Sequence, residues 1–118
     1  IDDLNQSSIV LKLTYGQNKF LLTGDAGEPV EKKLIASGVD LTADVLKVGH
    51  HGSKTSTSET LLQAAKPEEA IIQVGRNSYG HPTEQALTTL KNAEAKILRT
   101  DQVGTIVCTS NGAAFTCE

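Results

Sequence analysis

The stretch Ala43-Asp44-Val45-Leu46-Lys47-Val48-Gly49-His50-His51-Gly52-Ser53 decides the fold. Ala43 to Val48 reads as a strand, and it runs directly into two histidines bracketed by glycines. Upstream, Lys19 to Thr23 is a strand that ends in Thr23-Gly24-Asp25-Ala26. Gly16-Gln17-Asn18 turns the chain back to Ser8–Tyr15. There Ile9, Leu11, Leu13 and Tyr15 point one way and Lys12 and Thr14 the other, which predicts a strand with one buried and one more polar face. Glu28-Pro29 opens a short helix between the second and third strands, because Pro suits the first turn and Glu the N-terminal dipole. Val30, Leu34 and Ile35 form its expected buried stripe, and Ser37-Gly38 its end.

Downstream the alternation continues. Thr57 or Ser58 caps a helix through Ala65, with Leu61, Leu62 and Ala65 inward, and Pro67 stops it. Ala70 to Val74 is a fourth strand, followed by Gly75-Arg76-Asn77-Ser78-Tyr79-Gly80-His81-Pro82. Thr83 caps a third helix carrying Ala86, Leu87, Leu90 and Ala93 at helical spacing, and Lys96 to Arg99 is a fifth strand. Gly104–Thr109 and Ala113–Cys117 read as a terminal hairpin around Asn111-Gly112. Strands alternating with helices imply an α/β fold, with a mixed β-sheet and helices packed on it. Chemistry in such sheets gathers beyond the carboxyl ends of the strands.

The chain has 118 residues, 38% hydrophobic and 21% charged, enough for one packed domain. Aromatics are 3%, with no Trp or Met, so the core is Leu, Ile, Val and Ala. A net charge of -3 excludes nucleic-acid binding through bulk positive charge, but not a local site that handles phosphates through metal ions. No apolar run approaches the roughly 20 residues of a transmembrane helix. The opening Ile1-Asp2-Asp3-Leu4 reads as an internal stretch of a longer protein. Cys108 and Cys117 admit two readings. A four-residue loop over 111–114 sets them opposite each other, able to bridge. A two-residue Asn111-Gly112 turn, the favoured reading, sets Cys108 opposite Phe115 instead.

Three polar segments follow strands. Asp25, after an apolar run and among small residues, can reach or bridge metal ions; capping the next helix or sitting in a turn is the plain alternative. His50 and His51 are adjacent imidazoles whose side chains diverge, so one can bind metal while the other faces a substrate; an exposed polar loop is the plain alternative. Ser53, Lys54, Thr55 and Ser56 offer hydroxyls and a cation to phosphate oxygens. His81, stiffened by Pro82, can point into the same cleft or serve a structural role, and Arg76 and Asn77 are weaker anion contacts. No P-loop, nucleophile elbow or dinucleotide fingerprint is present. Lys and Arg are dispersed without interleaved aromatics, which argues against a stacking platform for single strands.

Ser8–Leu13, Phe20–Ala26, Ala43–Ser56, Tyr79–Pro82 and Leu98–Ile106 together resemble the metallo-β-lactamase-like domain, and within it the branch carried by competence proteins of the ComEC family. The resemblance covers about Ser7 to Thr109 and implies a four-layer αββα sandwich of two similar halves, with a dinuclear metal site at the sheet edge. Carried over by motif, Asp25 resembles the carboxylate that bridges the metals and His51 a ligand of the second metal. His50 then faces the substrate as a phosphate contact or proton donor, and His81 is a further cleft residue, so His50 and His81 are the expected catalytic pair. The family's His-x-His-x-Asp-His loop does not occur in these 118 residues. The chain is therefore expected to be the C-terminal half of the domain, inactive alone and binding metal weakly or not at all. Two divalent ions, Zn or Mn, are expected in the intact domain. The implied function is phosphodiester hydrolysis of DNA during competence-related uptake, in the soluble, outward-facing part of a bacterial membrane protein. A non-catalytic module of a DNA transport complex, or a hydrolase of another phosphoester or ester, is the alternative. The expected partners are DNA, the missing N-terminal half and, through an uncovered face, a second copy of the chain.

Overall fold

The computed structural model describes residues 4–118. Five strands form one mixed sheet in the order β1-β2-β3-β4-β5: β1 (Leu11–Tyr15), β2 (Asn18–Leu22), β3 (Val45–Lys47), β4 (Glu69–Ile72) and β5 (Lys96–Arg99). β1 and β2 are antiparallel, as their short turn requires, and the other neighbours are parallel. The parallel crossovers carry α1 (Glu28–Ala36), α2 (Glu59–Ala65) and α3 (Glu84–Asn92). The expected caps form: Ser58 Oγ accepts from the Leu61 N–H at 3.2 Å, and Thr83 Oγ1 from the Ala86 N–H at 3.1 Å. A short α4 (Thr100–Val103), absent from the sequence reading, leads to the hairpin β6 (Cys108–Ser110) and β7 (Phe115–Cys117).

The strands alternate, and the register aligns Leu21, Leu46, Ala70 and Ile97 across the sheet. These residues pack with Leu61, Leu62, Ala65 and Leu90 of the helices into one core. The opposite face carries the aligned row Leu11, Leu22, Lys47, Ile71 and Leu98. An apolar hollow of about 680 Å³ opens there, lined by Leu13, Tyr15, Phe20, Leu22, Ile71 and Cys108 among others.

Three expectations need correction. The apolar side of β1 is not buried: Leu11, Leu13 and Tyr15 are 58%, 59% and 56% exposed, because they lie on the face without helices. Alternation identifies the apolar side of a strand, but not whether anything covers it. In α1 the residue buried is Glu31, while Val30, Leu34 and Ile35 are half-buried. The terminal hairpin has the four-residue loop, not the tight turn. Asn111 Oδ1 accepts from the N–H groups of Ala113 and Ala114 at 2.9 and 2.8 Å, which holds the wider loop. Ser110 therefore pairs with Phe115 and Cys108 with Cys117, and the two cysteines are disulfide-bonded.

Candidate metal centre and its histidine cluster

The segments after β2, β3 and β4 emerge from one sheet edge, as parallel neighbours must. The His50 N–H donates to the Gly24 carbonyl at 2.9 Å, which ties the Asp25 turn to the histidine loop. His50 (φ 49°, ψ 45°) and His51 (φ 56°, ψ 26°) both adopt the left-handed conformation. Each costs about 1 kcal/mol or more for a residue with a Cβ, so the surroundings must impose it.

Those surroundings are the Ser/Thr segment behind the histidines. Ser56 Oγ donates to the Ala26 carbonyl at 2.9 Å, and Thr57 Oγ1 accepts from the Gly49 N–H at 3.0 Å. The buried Glu31 carboxylate accepts from the N–H groups of Thr57 and Ser58 at 2.6 and 3.0 Å. Ser53, Ser56 and Thr57 are buried. This corrects the expectation of hydroxyls free for phosphate: those of Ser56 and Thr57 hold the Ala26 carbonyl and the Gly49 N–H, that of Ser53 pairs with the Thr55 hydroxyl, and backbone N–H groups tie the segment to Glu31 of α1, leaving Lys54 and Thr55 exposed.

The histidines themselves converge. The rings of His50 and His81 are 5.5 Å apart and those of His50 and His51 6.3 Å. His51 Nδ1 lies 2.7 Å from the Gln73 carbonyl oxygen. A carbonyl only accepts, so Nδ1 carries the hydrogen and Nε2 keeps its lone pair, the arrangement of a metal-ligating imidazole with its supporting bond. Burial, and then the neighbouring His50 and His51, hold His81 below the ordinary histidine range. The His81–Pro82 peptide is cis. Pro82 packs on Gly52, which has φ +85°; a Cβ on Gly52 would come 2.5 Å from the Pro82 Cβ. The Gly52 carbonyl accepts from the Thr83 N–H at 3.0 Å and its hydroxyl at 3.2 Å, which joins the two histidine loops.

Asp25 is half-buried, and its N–H donates to Ser8 Oγ at 3.1 Å. It does not cap α1, whose N-cap is Gly27, but it sits in the turn over 23–26, the other plain reading. Its carboxylate acts on Lys47, whose ammonium burial depresses below the ordinary lysine range and Asp25 partly restores. Lys47 Nζ also donates to the Val48 carbonyl at 3.1 Å. Lys47 and Glu31 escaped the sequence reading, and Asn77, read there as a weak anion contact, instead spends its amide on the backbone of Gly75, Tyr79 and His81. Strand alternation opposite Leu22 marks Lys47; Glu31 reads only as a surface helix position.

Among the described residues, no group of three or more His, Cys, Asp or Glu could hold a metal ion. The Nε2 of His51 and the Asp25 carboxylate are donor types that divalent ions take, but two donors do not complete such a set.

The sequence profile of the Metallo-beta-lactamase superfamily matches residues 2–76. The chain belongs to the metallo-β-lactamase superfamily. Members of that superfamily generally bind divalent metal ions, and the mixed sheet with its helices accords with a metallo-β-lactamase-like fold. The chain is 45% identical over 103 residues to "ComE operon protein 3" of Bacillus subtilis (strain 168), covering 86% of this chain and 13% of that protein. It is 41% identical over 108 residues to "Competence protein ComA" of Neisseria gonorrhoeae, covering 90% and 16%. Against "Recombination protein 2" of Haemophilus influenzae it is 40% identical over 103 residues, covering 86% and 13%. The chain thus spans under a fifth of each of these relatives.

Proposed function

We propose that this chain is part of a metal-dependent hydrolase that cleaves DNA phosphodiester bonds during competence-related DNA uptake. The observation that carries this reading is the convergence of His50, His51 and His81 beside the Asp25 turn at one sheet edge, with His51 Nε2 left free. The names of the relatives support the competence role. Asp25 and His51 would hold divalent ions, Zn or Mn, two in the complete domain. Bound there, such ions supply a hydroxide at near-neutral pH and positive charge against the phosphate. His50, half-buried, holds or delivers a proton at the departing oxygen. His81 donates to a non-bridging oxygen. Lys47 balances Asp25.

The chain is the C-terminal half of the αββα domain in this reading. The open sheet face, with its apolar hollow, takes the sheet of the N-terminal half, which supplies the other metal donors. The 118 residues alone are inactive, and a second copy can occupy the same face at high concentration. The Cys108–Cys117 disulfide supports an outward-facing position in a membrane-attached bacterial protein, since such bonds persist in oxidising compartments. Among the described residues no helix is long and apolar enough to cross a membrane.

The test is DNA cleavage by the complete domain with Mn²⁺ or Zn²⁺. Loss of cutting in Asp25→Ala and His51→Ala supports the reading, and unchanged cutting in both removes it. Titration of the 118-residue chain with Zn²⁺ should show no tight stoichiometric binding. DNA that the complete domain binds but does not cleave would instead indicate a non-catalytic module of a DNA transport complex.

A further inference from the structure

Beyond His81 the ring series continues: Tyr79 and His81 stack with centroids 5.8 Å apart and planes 26° apart. Tyr79 is 81% exposed, so its other face is open. Its loop is nonetheless rigidly defined. Asn77 Oδ1 accepts from the N–H groups of Tyr79 and His81, both at 3.0 Å. Its Nδ2 donates to the carbonyls of Gly75 and His81 at 3.0 and 2.8 Å, so the whole amide is used. A cavity of about 210 Å³ lies here, lined by His51, Arg76, Asn77, Tyr79 and His81 among others. Large exposed aromatics are rare on this chain, with aromatics at 3%, and this one stands on the candidate site beside an exposed guanidinium.

We propose that this cavity is a nucleobase subsite: Tyr79 stacks on a base next to the scissile phosphodiester, and Arg76 pairs with the adjoining phosphate. The proposal rests on the reading of the site as one for DNA and sharpens it. A base within a duplex is already stacked, so the subsite selects single-stranded or frayed DNA. Base–aromatic stacking is sequence-tolerant, because every base has a π-face. The sequence argued against a stacking platform because its aromatics are not interleaved with cations; folding assembles one from a single tyrosine and the histidines.

The chain has no Trp and two tyrosines, so Tyr15→Phe leaves Tyr79 as the sole emitter of tyrosine fluorescence. Titrating that variant with a short oligothymidylate should quench the emission, as base stacking does. An abasic oligomer of the same length should quench several-fold less. Equal quenching by both, or none by either, overturns the proposal. In the complete domain, Tyr79→Ala should raise KM for single-stranded DNA about tenfold and Tyr79→Trp should restore it; an unchanged KM also overturns it. Quenching with no cleavage by the complete domain in Mn²⁺ or Zn²⁺ would sink the hydrolase reading while leaving the subsite standing. Cleavage without quenching, and with unchanged KM, would do the reverse.

Discussion

His51 Nδ1 and the Gln73 carbonyl oxygen, 2.7 Å apart, join the loop after β3 to the end of β4 and fix the tautomer of one imidazole. Free histidine favours hydrogen on Nε2, so the fold inverts the ordinary preference. Long-range ¹⁵N–¹³C correlation spectra of the neutral protein should show His51 protonated on Nδ1. A spectrum with hydrogen on Nε2 would contradict the bond and the free lone pair inferred from it.

His50 sits at φ 49° without being glycine. A Cβ is disfavoured there by about 1–2 kcal/mol. His50→Gly should therefore be about 1 kcal/mol more stable than His50→Ala in urea denaturation, although both lose the imidazole. Equal stabilities would mean that this backbone conformation is not held.

The buried Glu31 carboxylate serves two backbone N–H groups, those of Thr57 and Ser58. Glu31→Ala strands both donors, and each buried orphan costs about 1–3 kcal/mol. The expected loss is about 3 kcal/mol, read as a lower urea midpoint. Glu31→Gln keeps one acceptor and should lose roughly half as much.

His81 is held below the ordinary histidine value of 6.5, mainly by burial and then by its histidine neighbours. Below that pH the unfolded chain binds the proton more readily than the folded one. The stability from neutral His81 is thus complete above pH 6.5 and lost as pH falls through the folded value. The gap between wild type and His81→Gln in urea midpoint should shift in favour of His81→Gln between about pH 7.5 and pH 5. A gap that does not change with pH would refute the depression.

The order of elements was legible because hydrophobic period and capping chemistry are local: Ser58 and Thr83 cap as read, and β5 falls on Lys96–Arg99. What failed was what depends on distant chain. The apolar side of β1 announces itself, but its exposure depends on what lies across the sheet. The hairpin register turned on whether the Asn111 side chain folds back on two N–H groups, which composition does not decide. At the site, the histidines and Asp25 stood out by residue type and position after strands. Glu31 did not, and Asn77 and the Ser/Thr hydroxyls were read as anion contacts, because a side chain that holds backbone and one that offers itself to a ligand look alike before they are folded.

Glu31 and Asn77 brace the imidazoles from beneath and from the side, using main-chain partners that exist whether or not anything is bound. The edge is therefore finished before a visitor reaches it. An arriving ion or strand meets rings already aimed, so little of the encounter is diverted into rearranging loops, and swapping one cargo for another should leave the scaffold's posture untouched.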